Sequence, residues 1–183
     1  MRHGNSQANV ARLIASWPSH SLNRFGLTKK GKQEVKRSLK RAVFLNNQTV
    51  ICSSDFLRTR QTAKIARQYL KVKKVFLTPL LRERNFGQLE FLRSKNYAQA
   101  WAEDRKNPRS RPYGSESVVD VQRRLFKLIK WLEKKYHVRK ILLVSHGDPL
   151  KILIGLFKGD ANPFLNGHHS MMTGRIRKLQ LTR

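Results

Sequence analysis

The chain has 183 residues, which suits one domain over 1–183, and 39% of them are hydrophobic, which is enough for a buried core and excludes a disordered tail. Its 39 Lys and Arg residues against 11 Asp and Glu residues give a formal net charge of +28, which favours polyanionic partners such as nucleic acids, phosphorylated ligands and anionic lipid surfaces. No apolar run approaches the ~20 residues of a membrane span, the start lacks the apolar stretch of a signal peptide, and the single cysteine, Cys52, fits a reducing cytoplasm.

The basic residues are scattered through every segment rather than gathered in one block. This distribution is typical of a solvated surface, and weak binding of nucleic acid to the basic surface stays open as the alternative. The small number of carboxylates leaves few side chains free to ligate a metal.

The chain begins with Arg2-His3-Gly4, and apolar residues at helical spacing predict a helix from after Ser6 to Trp17. Because helix N-termini present free N–H groups and positive potential, this start could hold a phosphate. Gly4 lets the backbone approach a ligand closely, and His3 then lies where it could attack the phosphorus. A surface turn is the alternative for so short a motif.

A second helix is predicted after Leu27-Thr28, with Thr28 as its N-cap and basic residues on its solvated face. The apolar run Thr49 to Ser53 contains β-branched residues and predicts a short buried strand.

Arg58 falls in the first turn of the helix predicted after this strand, for which Ser54 or Asp55 is the expected N-cap. The inward face of that helix is predicted to carry Ala63, Ala66 and Leu70. The helix dipole disfavours a cation in the first turn unless an anion lies nearby, so Arg58 is a candidate phosphate ligand. An ordinary surface arginine fits the local sequence equally well.

The segment Lys74 to Leu77 predicts a further strand. Glu83 comes next, between Arg82 and Arg84, and two neighbouring cations would normally keep its carboxyl ionised. The alternative to a functional role is that Glu83 forms an ordinary ion pair at the surface. Residues 92–113 combine prolines with many charges and predict an irregular excursion or lid rather than a second domain.

The longest helical pattern opens at Gly114-Ser115-Glu116, carries an apolar stripe and ends in a basic turn at Lys134-Lys135. The run Lys140 to Val144 is the clearest buried strand, and Ser145-His146-Gly147 follows it directly.

Asp148 as N-cap and Pro149 as the first helical residue predict a helix that stops at Gly159. Apolar and polar residues alternate in the tail, from Arg175 to Leu181, and this alternation predicts an edge strand.

Strands that alternate with helices predict an α/β fold with a doubly wound, mostly parallel sheet and helices on both faces. In such sheets ligands lie outside the carboxyl ends of the strands. His146 and the segment 53–55 each follow the end of a predicted strand. His3 should follow one as well, but only Met1 precedes Arg2, so the first strand is apparently truncated.

These segments, in this order, resemble the histidine phosphatase superfamily, the phosphoglycerate mutase-like proteins. The resemblance covers nearly the whole chain and implies the fold of that family. The matching segments are Arg2-His3-Gly4 with Ser6 and Asn9, Leu27-Thr28 with Gly31, Ser54-Asp55 to Ala63, Leu81 to Gly87, Gly114 to Ser117 with Arg123 or Arg124, and Ser145-His146-Gly147.

The resemblance also implies a role for each side chain of a phosphate site. His3 would attack the phosphorus of a monoester and become a phosphohistidine, while Arg2 and Arg58 would neutralise the phosphoryl oxygens. His146 would donate to an equatorial oxygen, and Glu83 would protonate the leaving alkoxide and then deprotonate the attacking water. Further substrate contacts would come from Gly4, Ser6, Asn9 and Gly147. No metal and no organic cofactor is implied.

Two features depart from the family pattern. Several apolar residues of a first strand normally precede Arg-His-Gly, and we hypothesise that the true start lies upstream and that Met1 is an internal methionine. Phe91 stands where the family often has a glycine after the position of Glu90, which would reshape the rim of the pocket.

A phosphomonoester hydrolase acting on a phosphorylated small molecule is the function that these segments favour. A phosphoglycerate mutase is the second hypothesis, although mutases of this family tend to carry an insertion where this chain is short. A catalytically impaired, polyanion-binding member is the third, because of the charge of +28 and the truncated first strand. The sequence indicates neither the substrate nor the oligomeric state.

Overall fold

The computed structural model describes residues 1–137, 139–165 and 169–180. In chain order its helices and strands are α1 (Gln7–Ala11), α2 (Pro18–Ser21), α3 (Lys29–Arg41), β1 (Val50–Ser53), α4 (Leu57–Leu70), β2 (Val75–Leu77), α5 (Tyr97–Lys106), α6 (Val118–Lys135), β3 (Ile141–Val144) and α7 (Gly147–Lys158). Short 3₁₀ turns lie in the connections at Pro79–Leu81, Gly87–Leu89, Ser94–Asn96 and Pro112–Gly114. Among the described residues, no helix combines the length and the apolar character that crossing a bilayer requires.

The three strands form a parallel sheet in the order β2–β1–β3. All residues of the central strand β1 are buried, as is usual for a parallel strand with helices on both faces. The strands predicted at 49–53, 74–77 and 140–144 are therefore confirmed.

Successive side chains of a strand point to opposite faces of the sheet, and each face is covered by a pair of helices. Ile51 packs with buried residues of α3 and α4, whereas Cys52 packs with buried residues of α6 and α7. Apolar burial on both sides therefore holds the sheet between two helical layers. The predicted α/β fold with helices on both faces of a parallel sheet is confirmed.

The first residues of the chain lie beside β3 and extend past its carboxyl end. Arg2 forms a parallel bridge with Ser145. The N–H of Ser145 donates to the carbonyl of Met1 at 3.0 Å, and the N–H of His3 donates to the carbonyl of Ser145 at 3.0 Å. A single bridge joins the first residues to the end of β3, and it brings His3 next to His146.

The helix predicted to run to Trp17 is wrong in length, because α1 ends at Ala11. Arg12 adopts φ +54° and ψ +42°, the left-handed conformation that stops a helix. Leu13 then pairs with Arg93 in an antiparallel bridge. A contact with a residue distant in sequence therefore overrides the local apolar periodicity.

Helix starts follow the sequence only in part. Thr28 caps α3 as expected, since its hydroxyl accepts from a backbone N–H of the first turn. The N-cap of α4 is Phe56 rather than Ser54 or Asp55. The Asp55 carboxylate instead accepts from the guanidinium of Arg82, with an Nε to Oδ1 distance of 2.8 Å.

The start of α7 also differs from the prediction. Its N-cap is His146, and Asp148 lies inside the first turn. The Asp148 carboxylate accepts from the indole N–H of Trp101 at 3.0 Å, so a tertiary contact takes the place of the predicted cap. The helix ends at Gly159 with φ +73°, as expected.

Residues 92–113 are more regular than predicted, because Tyr97–Lys106 form α5. The rings of Tyr97 and Trp101, one turn apart, stack at a centroid distance of 5.4 Å. The T-shaped contact between Tyr97 and Phe86, at 4.7 Å, packs α5 against the segment that carries Glu83. Aromatic packing therefore orders a segment whose composition is typical of a loop.

The edge strand predicted for Arg175 to Leu181 is wrong for residues 175–180, which form no strand, and Leu181 lies outside the described residues. Backbone hydrogen bonds join this part of the chain to its start: the N–H of Arg2 donates to the carbonyl of Arg175 at 3.0 Å, and the N–H of Gly174 donates to the carbonyl of His3 at 2.9 Å.

Candidate active site

The residues expected to hold a phosphate come together at the carboxyl end of the sheet. His3 lies beside the end of β3, His146 follows β3, and Arg58 lies in the first turn of α4 after β1. Arg2, His3, Arg58 and Glu83 line one pocket of about 80 Å³. His146 is fully buried beside it, with its ring centroid 5.2 Å from that of His3.

His3 presents one free ring nitrogen. Its Nδ1 lies 2.8 Å from the carbonyl oxygen of Gly4, which can only accept, so Nδ1 carries the proton and Nε2 keeps its lone pair. Burial, then the positive charges of Arg58 and Arg2, lower the pKa of His3 well below its usual 6.5. The imidazole is therefore neutral near pH 7, the form required of a nucleophile.

His146 is held by hydrogen bonds at both ring nitrogens. The Nε–H of Arg58 donates to its Nδ1 at 3.2 Å, so the proton lies on Nε2, 3.0 Å from the hydroxyl of Ser54. Burial and the charge of Arg58 lower the pKa of His146 well below 6.5. His146 does not line the pocket. It contacts Arg58, which does.

The two arginines of the pocket are fixed differently. Arg58 is buried and donates to the carbonyl of Ala15 at 2.8 Å as well as to His146. Arg2 donates from Nη1 to the carbonyl of Met171 at 2.6 Å. Its Nε is buried and has no hydrogen-bond acceptor among the described residues. Arg2 therefore lines the pocket with a guanidinium that is only partly satisfied by the described residues.

Glu83 is held at the pocket by backbone donors. Its Oε1 accepts from the N–H of Arg84 at 3.0 Å, and its Oε2 accepts from the N–H of Gly147 at 3.3 Å. Burial and the charge of Asp148 raise the pKa of Glu83 from 4.5 to about 7, against the opposing effect of Arg58. At neutral pH the carboxyl is therefore divided between its acidic and basic forms.

The expectation that Arg82 and Arg84 keep Glu83 ionised is wrong, because both guanidiniums point elsewhere. Arg82 pairs with Asp55, and Arg84 forms a fully buried pair with Asp104. Each neighbouring cation is neutralised by its own carboxylate, so burial determines the pKa of Glu83.

Asp148 belongs to the candidate site, although it was predicted from the sequence only as a helix cap. Its buried carboxylate lies 3.7 Å from Nη1 of Arg84 and accepts from Trp101 on α5. Its charge acts on Glu83, the carboxyl that lines the pocket. A sequence signal existed, since an acidic residue follows Ser-His-Gly directly, but it fits a helix cap equally well.

Among the smaller expected contacts, Ser6 and Asn9 do line the pocket, and they also bond to each other, with Ser6 Oγ 2.9 Å from Asn9 Oδ1. Gly4 and Gly147 lie outside its lining. A Cβ at Gly4 would stand 2.3 Å from the carbonyl oxygen of Gly31, so the close approach that requires this glycine is to the protein rather than to a ligand. Gly147 contributes by donating to Glu83.

Phe91 does not line the pocket either, contrary to the expected change at the rim. It has φ +62°, in the left-handed region that favours glycine. Its ring packs on His20 at a centroid distance of 4.3 Å.

Glu83 also borders a second cavity, of about 500 Å³. Its other lining residues carry both signs, since Arg111 pairs there with Asp120 and Arg124 pairs with Glu116. Glu83 therefore borders both cavities. Within the part of the chain that the structure describes, no three His, Cys, Asp or Glu side chains gather as a metal site would require.

The chain was compared with known proteins. The sequence profile described as "Histidine phosphatase superfamily (branch 1)" matches residues 1–182. The chain is 32% identical over 166 residues to a probable phosphoglycerate mutase GpmB of Escherichia fergusonii, covering 87% of this chain and 73% of that protein. It is 27% identical over 159 residues to a metal-independent phosphoserine phosphatase of Arabidopsis thaliana, covering 84% and 65%. The solved structure of Bacillus stearothermophilus YhfR matches with a TM-score of 0.75 at 27% identity, covering 94% and 85%. The chain belongs to the histidine phosphatase superfamily.

Proposed function

We propose that this protein is a phosphomonoester hydrolase that acts through a phosphohistidine on His3. The observation that carries the proposal is the free Nε2 of a neutral His3 in a pocket shared with two guanidiniums and one carboxyl. A pocket of about 80 Å³ suits a phosphoryl group rather than a whole substrate, so the rest of the molecule would extend outside it.

In the first step, Nε2 of His3 attacks the phosphorus and the bond to the ester oxygen breaks. Protonated Glu83 gives its proton to that oxygen, which leaves as an alcohol. The guanidiniums of Arg58 and Arg2, which line the pocket, stabilise the negative charge on the remaining phosphoryl oxygens.

In the second step, ionised Glu83 removes a proton from a water molecule that attacks the phosphorus. The bond from phosphorus to Nε2 breaks, and inorganic phosphate leaves with His3 restored. One carboxyl can serve both steps because its pKa of about 7 makes both of its forms accessible.

The role of His146 in this proposal is to position Arg58. Its Nδ1 accepts from the Nε–H of Arg58, and its Nε2–H is held by Ser54. A neutral His146 therefore fixes the guanidinium at the pocket without adding a charge of its own.

A phosphoglycerate mutase is the second candidate, because one of the relatives is a probable enzyme of that kind. The second cavity supports hydrolysis, since Glu83 lines it as well as the pocket, and water in that cavity would lie next to the residue that is proposed to activate it. A mutase would have to keep water from the phosphohistidine until phosphate returns to the substrate. A phosphatase is also among the relatives.

A panel of phosphomonoesters tested on wild type and His3→Ala will decide whether the proposal holds. We expect phosphate release and acid-labile, base-stable protein phosphate from the wild type only. His137→Ala, at an exposed histidine, is the matched control and should retain both. Turnover by His3→Ala equal to wild type would refute the proposal. Formation of 2-phosphoglycerate from 3-phosphoglycerate in the presence of 2,3-bisphosphoglycerate, without phosphate release, would establish the mutase instead.

A further inference from the structure

The solvent-facing side of α6 carries a row of cations between two exposed aromatic rings. At about 100° per residue, Arg123, Lys127, Lys130 and Lys134 fall within an arc of about 60°. That arc lies opposite the buried stripe of the same helix, which consists of Val118, Val121, Leu125, Leu128 and Leu132. We call the four cations together with Phe126 and Trp131 the α6 basic face.

The two aromatic side chains of this face are not part of a core. Phe126 is 54% exposed and Trp131 is 45% exposed. The ammonium of Lys130 lies 4.7 Å from the ring centroid of Phe126, and that of Lys135 lies 4.8 Å from the ring centroid of Trp131. Each ring thus has a cation over one side while about half of its surface stays open to a further flat partner.

Charge alone does not distinguish this face, since lysines are common over the whole surface. The outer side of α3 shows the difference. It carries exposed Lys32, Lys36 and Lys40, but no large hydrophobic side chain among its residues is exposed. The α6 basic face is therefore unusual in combining a cationic row with stackable rings.

We propose that the α6 basic face binds single-stranded nucleic acid, with phosphates along the cationic row and bases stacked on Phe126 and Trp131. Cationic grooves with aromatic platforms are the usual way in which proteins hold single strands without sequence preference. The row from Arg123 to Lys134 is about 16 Å long, which accommodates a few nucleotides.

The arrangement favours nucleic acid over a lipid surface. Phe126 and Trp131 are five residues apart and project about 140° from each other, on opposite flanks of the cationic row. A helix that inserts into a bilayer gathers its apolar side chains on one side, with cations at the margins. Here the order is reversed, with the cations in the middle.

The site lies away from the candidate active site. Arg124, near the start of α6, donates to the carbonyl of Glu83, whereas Lys130 and Trp131 lie in the second half of the helix, which leads to the amino end of β3. Binding of nucleic acid is therefore expected to survive His3→Ala.

The test is titration of a fluorescently labelled oligothymidylate of about 15 nucleotides with the full chain, followed by anisotropy, at about 50 to 200 mM salt. A triple variant of α6 should weaken binding at least tenfold and reduce the slope of log K against log salt by about 2. It combines Lys127→Gln, Lys130→Gln and Lys134→Gln. Lys32→Gln, Lys36→Gln and Lys40→Gln combined remove the same charge from α3 and should change the affinity less than threefold.

Two aromatic variants separate stacking from charge. Phe126→Gln with Trp131→Gln should weaken binding at least tenfold at unchanged salt slope. In the wild type, the oligonucleotide should quench tryptophan emission, and most of this quenching should be lost in Trp131→Phe, which preserves a ring and the fold. Far-UV circular dichroism checks that each variant is folded.

The proposal is overturned if the α3 variant loses as much affinity as the α6 variant, because binding would then depend on overall charge. It is also overturned if the aromatic variants bind normally, or if no binding is seen at about 50 mM salt with protein up to about 100 μM, the weak end of the range typical of non-specific complexes. Binding to phosphatidylserine-containing vesicles without binding to the oligonucleotide would assign the face to membranes instead.

Discussion

The proton equilibrium of Glu83 offers the sharpest test of the proposed chemistry. Burial and the charge of Asp148 raise its pKa from 4.5 to about 7. With the ordinary value, about 0.3% of the carboxyl would be protonated at pH 7, whereas with the raised value about half is protonated. The site therefore increases the population of the proton donor by about two orders of magnitude at neutral pH.

The perturbation is Glu83→Gln, which keeps the size of the side chain and one of the two oxygens that accept from the N–H groups of Arg84 and Gly147. With an alkyl phosphate, loss of the acid should lower kcat/KM by roughly 10² to 10⁴. With p-nitrophenyl phosphate, whose leaving group needs little help from a proton, the loss should be under about tenfold. Glu103→Gln, at an exposed carboxylate on α5, is the matched control and should leave both rates unchanged.

The assay is phosphate release at pH 5 to 9, expressed as the ratio of kcat/KM for wild type to that for Glu83→Gln. Titration of the substrate phosphate cancels in this ratio, and His3 stays neutral over the range because its pKa is well below 6.5. The ratio should fall about tenfold between pH 6 and pH 8, as the fraction of protonated Glu83 falls from about 0.9 to about 0.09.

Two results would show that the reasoning is wrong. An equal loss for both substrates in Glu83→Gln would mean that the carboxyl does not protonate the leaving group. A ratio that stays constant from pH 6 to pH 8 would mean that the protonated form of Glu83 is not the active form in the first step.

Three further predictions concern the same structure. Asp148→Asn removes a negative charge that raises the pKa of Glu83. The effect of Glu83→Gln on kcat/KM, measured in the Asp148→Asn variant, should therefore show its pH dependence at lower pH than in the wild type. A move to higher pH would contradict the assigned cause. Because the folded-state pKa of Glu83 is raised, its ionisation costs stability as pH rises from about 4.5 to about 7, and Tm of Glu83→Gln should exceed that of wild type at pH 8 and equal it at pH 4. Gly4→Ala places a Cβ 2.3 Å from the carbonyl oxygen of Gly31, so it should lower the free energy of unfolding, measured in urea titrations, by about 1–3 kcal/mol or more. The comparison is Gly114→Ala, which has open space around it and φ +69° and should cost about 1 kcal/mol.

The sheet and the proximity of the candidate catalytic residues could be predicted from the sequence because both depend on local patterns. Each apolar run that predicts a strand is short and is followed by polar residues that cannot continue it. His146 and Arg58 follow such runs, and parallel strands place their carboxyl ends on one edge, so their proximity follows from chain order. His3 joins them through the bridge between Arg2 and Ser145.

What could not be predicted depends on partners that are distant in sequence. The end of α1 is fixed by the pairing of Leu13 with Arg93, which no periodicity in residues 7–17 reveals. The raised pKa of Glu83 requires that its arginine neighbours be neutralised, and the acids that do so, Asp55 and Asp104, lie in other elements. Local sequence indicates a permanently ionised glutamate, whereas tertiary structure produces a carboxyl that can release and accept a proton.

The proton donor and the wall of the pocket are connected through one buried carboxylate. Asp148 acts electrostatically on Glu83 and accepts from Trp101, which stacks on Tyr97, a residue of the pocket lining. When two buried acids interact, their protons belong to the pair, and a change in the hydrogen bonding of one alters the acidity of the other. Burial raises the pKa of Asp148, and the charge of Arg84 and the hydrogen bond from Trp101 oppose that rise. Trp101 therefore helps to keep Asp148 ionised and so to keep Glu83 protonated. α5 therefore lines the pocket through Tyr97 and, through Trp101, influences the acidity of the carboxyl that the proposed reaction requires.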